Sequence, residues 1–490
     1  MKNRGVFMTL NVIPKPNTVE YYGGECWAKE NKITYKENEF YPDEYYCIEI
    51  TDGETIITTK GDKGRYYAHI TLEQIYEMGK VPLCKIIDLP AYSYRGFMID
   101  SARHMQSVDE IKAYISAAAR YKFNTFHWHL CDDQGFRIEI EKYPELNKKG
   151  SWRYGHGFGN ANMSKYGGYY TKEEIRDIVA FCKERYIDVI PEFDMPGHTV
   201  AILHSYPELS CRNKEIAVET CGGIFKDILC AGNEDVYKFC FDIIDEICEL
   251  FPYEYFHIGG DEAPKARWCE CEKCQKKMKE EKLENEEQLQ GYFTNRMVDY
   301  LKTKGKKTIA WNESLNSGIV SDDVIISQWM DRKNLCEEYA NKGGKIIAEQ
   351  FYYYYLDYEY GMTPLKKTYS YNPIGSDKFD YIGRRNVIGV EAPIWTEYVE
   401  DFDRMSYMCF PRLIAVAESG WTLEKYKDYE SFKVRVRNQK EFLESLGIKM
   451  ADESCWDPGA ETRGKVLLDR LKSILNPEMI DATLFPNRND

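Results

Sequence analysis

The chain has 490 residues, with 80 acidic against 65 basic side chains and a formal net charge of −15. That balance argues against nucleic acid or an anionic membrane surface as a partner. A composition of 43% hydrophobic and 30% charged residues is that of a globular protein long enough for one large domain and a small one, and no run of about 18 apolar residues offers a membrane span. Sixteen cysteines follow no regular spacing, and several (Cys182, Cys240, Cys248) fall inside expected helices. In so long a chain this pattern predicts reduced thiols and a cytoplasmic setting, not a disulfide framework. Residues 1–14 place Lys2 and Arg4 before a weak apolar run and show no cleavage signature, so no signal peptide is expected.

Residues 1–93 are tyrosine-rich and strand-like. Segments 45–50 and 54–59 alternate as strands around the turn Asp52-Gly53, and 67–78 has a helical pattern. A small α+β domain is expected there, with a structural role. From Arg95 onward, short apolar runs alternate with amphipathic helices. Eight strands are predicted, over 96–103, 125–133, 187–198, 255–262, 308–314, 324–329, 345–357 and 387–395. Ser107 with Glu110, and Thr171 with Glu174, form capping-box patterns that open two of the helices. Further helices are expected over 235–251 and 284–304, while 315–323 is too short for a full fifth helix. The alternation predicts a (β/α)8 TIM barrel over 94–425. Residues 426–490 read as a C-terminal helical extension packed on the barrel, with helices over 429–446 and 462–475.

In such barrels the site forms at the C-terminal strand ends, and the polar residues of this chain gather there. The fourth strand runs through Tyr-Phe-His-Ile-Gly-Gly into Asp261 and Glu262. Neighbours on a strand face opposite ways, so two adjacent acids share a site only where the strand stops, and the two glycines permit the bend. Each acid shifts the other's proton affinity, which suits acid/base chemistry; the same pair also suits an N-cap or a metal. Other strand ends supply Arg103, Asp132, His198, Trp311, Trp329, Asp357, Trp395 and Glu397. Indole faces stack on sugar C–H faces, and charged groups bind hydroxyls strongly. With no phosphate-binding glycine loop, the set points to a neutral carbohydrate.

These residues resemble family-20 glycoside hydrolases, the β-N-acetylhexosaminidases. The motifs are the segment from Gly96 to Arg103, those over 127–134 and 191–198, His-Ile-Gly-Gly-Asp-Glu over 257–262, 310–313, Tyr355-Leu-Asp357 and Trp395-Thr-Glu397, together covering about residues 64–425. The leading small domain resembles the one that precedes that family's barrel. The resemblance implies a retaining, substrate-assisted exo-hydrolase for terminal β-linked GlcNAc or GalNAc, in which the 2-acetamido oxygen attacks C1 and an oxazolinium forms. It implies Glu262 as acid and base, Asp261 on the amide N–H, and Tyr355 on the amide oxygen. Trp311, Trp329 and Trp395 would enclose the acetyl methyl, Arg103, Asp357 and Glu397 would hold hydroxyls, and Asp132 with His198 would support Glu262. No cofactor and no metal is implied. The expected partner is an amino-sugar oligosaccharide or glycoconjugate, with a homodimer left open.

Two other readings compete. His127 and His129 face the same side of one strand and, with Asp132 and His198, could hold the zinc of a metal-dependent hydrolase. A sugar-binding protein without catalysis would lack the acid that Glu262 supplies. Cys269, Cys271 and Cys274 are closely spaced, but no fourth ligand is evident nearby, so they read as structural loop thiols, with metal binding left open. His69, His104, His156 and His204 are read as packing or surface residues.

Overall fold

The computed structural model describes residues 10–155 and 164–474. The first nine residues, His156 within the loop 152–168, and the tail from 475 onward lie outside the described residues. The leading unit is a five-stranded sheet of Thr18–Cys26 (β1), Lys32–Glu37 (β2), Tyr46–Ile50 (β3), Glu54–Thr59 (β4) and Val81–Asp88 (β5), with the α-helix Asp62–Tyr76 (α1) and a short 3-10 turn, Ala28–Glu30. β3 and β4 pair antiparallel across the predicted turn, where Gly53 takes φ 82°. Trp421 from the far end of the barrel enters this unit's core, and its indole N–H donates to Asp88 at 2.8 Å. Lys122 lies over the same ring and donates to Tyr46, so a buried cation fastens sheet to barrel.

Among the described residues, eight parallel strands close into a barrel: Tyr94–Asp100 (β6), Thr125–His129 (β7), Asp188–Glu192 (β8), Tyr255–His257 (β9), Lys307–Trp311 (β10), Ile325–Gln328 (β11), Ile346–Ala348 (β12) and Val387–Ile394 (β13), with β13 returning to β6. Both capping boxes form, at the starts of Val108–Arg120 (α2) and Lys172–Lys183 (α3). The other two predicted helices are Glu234–Leu250 (α4) and Glu286–Thr303 (α5). The weak fifth link is a 3-10 segment, Asn312–Ser317. An isoleucine layer of Ile190, Ile309, Ile325 and Ile347 fills the barrel's lower interior.

Three expectations need correction. The strands stop earlier than their apolar patterns, because the polar residues that follow bend away into site loops. The strand expected over 345–357 ends at Ala348, and the tyrosine run forms a helical turn, Phe351–Tyr354. That turn sends Tyr352 to solvent, buries Tyr354 and leaves Tyr355 facing the barrel mouth. The helix expected over 429–446 is two helices, Tyr429–Arg437 and Lys440–Ser445. Gln439, buried at the break, accepts a hydrogen bond from Arg120 at 3.0 Å.

Candidate active site

Register builds the site's floor. Asp100 pairs with His129, His129 with Glu192, and Glu192 with His257, so one row of polar residues crosses four strands at their C-terminal ends. The pleat turns His127 and His129 inward together, and each meets a carboxylate. His127 Nδ1 lies 2.7 Å from Glu391 and Nε2 3.1 Å from Glu192. His129 bonds Glu192 through Nδ1 and Asp132 through Nε2, the latter at 2.9 Å. Asp132 Oδ1 then lies 3.1 Å from His198 Nδ1. Acid and imidazole thus alternate from the barrel interior to its mouth. The four residues of the metal-hydrolase reading do not form one ligand set among the described residues: His127 clusters with Glu192 and His257, His129 with Glu192 and Asp194, and Asp132 and His198 with Asp133.

Above this floor the chain leaves β9 through a tight turn. Gly259 (φ 66°), Gly260 (φ 101°) and Glu262 (φ 40°) are all left-handed. A Cβ on Gly259 would lie 1.6 Å from Asp194 Oδ1, and one on Gly260 2.7 Å from Ser314 Oγ. Only glycine fits at the first position. Asp194 Oδ1 accepts the Gly260 N–H at 3.1 Å and so fixes the turn. Glu262 is a non-glycine residue held left-handed, as is His198 (φ 53°) opposite, and such strain is typical of functional positions.

His198 Nε2 lies 3.6 Å from Asp261 Oδ2 and 3.6 Å from Glu262 Oε2. Burial opposes the imidazolium, but Asp132 and Asp261 hold His198 protonated well above its ordinary value. Burial lifts the Asp261 carboxyl to about 6, with His198 pulling it down and Glu262 pushing it up. Asp261 Oδ1 is buried with no hydrogen-bond partner among the described residues. Burial, and then Asp261, raises Glu313 to about 8, although Trp329 Nε1 donates to it at 2.9 Å.

These residues open onto a pocket of about 190 Å³ lined by Arg103, His198, Asp261, Glu262, Trp329, Tyr355, Asp357, Trp395 and Glu397, together with Tyr358 and Tyr398. Nine of the eleven predicted site residues therefore meet on one surface. The Trp329 and Tyr355 rings are near-parallel at 6.1 Å, and Trp395 stands 6.1 Å from Tyr355. Burial keeps the Tyr355 phenol protonated far above its usual range. Arg103 bonds Asp132 at 2.6 Å and Asp100 at 3.2 Å, reaches Glu397 at 3.8 Å and covers the Trp395 ring. Against the cost of burial, these carboxylates hold its charge firmly in place.

The other two predicted residues lie beneath the wall. Asp132 is buried between Arg103, His129 and His198. Trp311 is buried under Trp395 at 6.0 Å and donates its indole N–H to Glu192 at 2.8 Å. The sequence reading gave no role to Glu192, Asp133, Asp194 or Glu391, nor to the wall residues Tyr358 and Tyr398. Glu192 and Asp194 were findable, since the two-residue spacing that turns His127 and His129 inward applies to them too. The cysteine reading is also corrected. Cys269 is exposed, whereas Cys271 and Cys274 meet Cys211 and Cys230, which are distant in sequence.

A strand-end pocket walled by acids, indoles and one arginine on a (β/α)8 barrel has the form of a glycoside-hydrolase site. The model of glycosyl hydrolase family 20, catalytic domain, matches residues 92–424, and the chain belongs to that family. A β-hexosaminidase of Porphyromonas gingivalis is 39% identical over 407 residues, covering 80% of this chain and 51% of the relative, so the chain spans about half of that protein's length. An Akkermansia muciniphila β-hexosaminidase is 31% identical over 88% of this chain and 90% of its own. Among solved structures, a β-N-acetylhexosaminidase superposes with a TM-score of 0.85 at 30% identity, covering 92% and 99% of the two chains. A mutant Streptomyces plicatus β-hexosaminidase in complex with its product GlcNAc gives 0.78 at 29% identity, over 92% and 97%.

Proposed function

We propose that this pocket removes terminal β-linked N-acetylhexosamine, GlcNAc or GalNAc, from oligosaccharides or glycoconjugates, with the substrate's own acetamido oxygen as nucleophile. The observation that carries the proposal is the shared imidazole. Asp261 and Glu262 leave one turn and both lie 3.6 Å from His198 Nε2, so they occupy one wall. Conventional retaining glycosidases set acid and nucleophile about 5 Å apart across the scissile bond, and substrate-assisted enzymes are the exception. A tethered nucleophile gains high effective molarity instead.

Each side chain then has work its geometry suits. Glu262, partly exposed at the mouth, protonates the leaving oxygen and afterwards activates water. Asp261 Oδ1, buried and without a donor among the described residues, accepts the acetamido N–H and offsets the positive charge that grows on it. Tyr355 donates to the acetamido oxygen from its side of the aromatic wall. Trp329 and Trp395 enclose the methyl, while Trp311 supports Trp395 from below and anchors Glu192. Arg103, Asp357 and Glu397 bind ring hydroxyls. Asp132 orients His198 and keeps it charged, and His198 in turn steadies both acids.

The site also belongs to a chain whose sixteen cysteines are all unpaired, which supports the cytoplasmic setting as part of the same reading. No helix among the described residues is long and apolar enough to cross a membrane. Assay with a chromogenic N-acetyl-β-glucosaminide and the matching glucoside tests the function. Cleavage of the first and near-silence on the second is the expected result; equal rates would contradict the proposal.

A further inference from the structure

Four thiols converge behind the acid loops. Cys211 lies beyond the short helix Val200–Ser205 that follows His198. Cys230 follows Leu229, whose N–H bonds Pro196 O at 3.0 Å, close to His198. Cys271 and Cys274 form a Cys-x-x-Cys at the start of helix Glu272–Glu280, on the segment that continues from Glu262. All four Sγ atoms lie within 4.8 Å of one another. The individual separations are 3.7 Å for Cys230–Cys271, 3.7 Å for Cys230–Cys274 and 3.9 Å for Cys211–Cys274, and no pair is bonded.

Those lengths have a geometric meaning. A tetrahedron with metal–sulfur arms of about 2.3 Å has edges of about 3.8 Å. Three separations measured between side chains on three different segments agree with that edge. The backbone around them is set to match. A Cβ on Gly232 would lie 2.2 Å from the Lys273 carbonyl carbon and 2.3 Å from the Cys274 nitrogen, so glycine lets the two cysteine-bearing loops touch. Trp268 Nε1 bonds Leu229 O at 2.9 Å, and Arg212 and Arg267 both grip Asp227, which ties the same segments together.

We propose that Cys211, Cys230, Cys271 and Cys274 form a closed tetrathiolate site for one zinc ion that staples the loop after β8 to the loop after β9. Four protein ligands leave no open position, so the site is structural. Ligation releases the thiol protons to solvent and adds its binding free energy to folding. Its role is to hold the loops of His198 and of Asp261 and Glu262 in one arrangement, and it is independent of which sugar the pocket accepts.

Metal analysis of the purified full-length protein is the first test, and the site predicts one zinc per chain. Stepwise addition of an organomercurial to the native wild-type protein, with a chromophoric zinc indicator present, should release that zinc as four thiols are consumed. Cys274→Ser should lower zinc content about tenfold or more, whereas Cys269→Ser, at the exposed neighbour, should leave it unchanged. Because losing a ligand also removes folding free energy from Cys274→Ser, the wild-type titration stands as the independent readout. Native protein without stoichiometric zinc, whether its four thiols react freely or are paired in disulfides, would overturn the proposal. So would iron in place of zinc, or loss of zinc in Cys269→Ser alone.

Discussion

Asp132 and His198 face each other at 3.1 Å across two site loops, and through this contact the barrel's buried acid–imidazole chain reaches the catalytic wall. Asp132 also takes the Arg103 guanidinium at 2.6 Å. One carboxylate therefore acts on both the charge of the imidazole behind the acids and the position of the cation on the opposite wall. Replacing it with an amide of the same shape separates charge from packing.

In Asp132→Asn, His198 loses its nearest counter-charge and titrates closer to its ordinary value near 6.5. We expect kcat to fall about ten- to a hundredfold, the range of a modest acid–base defect. The alkaline limb of the pH–rate profile should move to lower pH, because Asp133 at 3.2 Å and Asp261 at 3.6 Å then hold the cation less firmly than the three carboxylates together. A profile unchanged in shape would remove His198's charge from the mechanism.

Glu262→Gln should lose about two to four orders of magnitude in turnover on a substrate with a poor leaving group, while KM changes little. Substrates with an activated leaving group should suffer less in the first step. Near-normal turnover would take Glu262 out of the acid/base role.

Asp261 shows function working against stability. Its folded pKa of about 6 lies above the ordinary 3.8, so the folded state binds this proton more tightly than the unfolded chain. That contribution is complete below about pH 4 and is lost as pH rises through about 6. Asp261→Asn should thus be slower in forming the intermediate yet more stable at pH 7, by about 1–3 kcal/mol. The gain should vanish in denaturant melts near pH 4.

Gly259 and Gly318 share a left-handed φ, 66° and 67°, but not their surroundings. A Cβ on Gly318 meets nothing within 4 Å, while one on Gly259 collides with Asp194. Gly318→Ala should cost about 1 kcal/mol for the left-handed alanine alone. Gly259→Ala should cost about 1–3 kcal/mol more and should also impair activity, since Asp194 holds the Gly260 N–H. Urea midpoints for the pair measure the difference.

Much of this site was legible in the sequence because strand periodicity is local. Eight apolar runs followed by polar clusters give the barrel and its active end, and the two capping boxes mark helix starts wherever the chain later packs. What was not legible depends on closure. Nothing near Trp311 says that its indole turns down to Glu192, and nothing near Cys271 says that Cys211 and Cys230 will meet it. The tyrosine run shows the same limit. Its β-propensity reads as strand, but β12 ends at Ala348, and Gln350 O accepts the Tyr353 and Tyr354 N–H groups to close a helical turn. Context there overrides propensity.

The most direct test of the central claim varies the nucleophile itself. A series of aryl β-glucosaminides with acetyl, fluoroacetyl, difluoroacetyl and trifluoroacetyl groups weakens the carbonyl oxygen stepwise and leaves the leaving group unchanged. If the substrate's amide attacks C1, kcat should fall steeply and monotonically along the series. A flat response, with the trifluoroacetyl compound cleaved as fast as the acetyl one, would mean that a protein side chain is the nucleophile and would contradict the account.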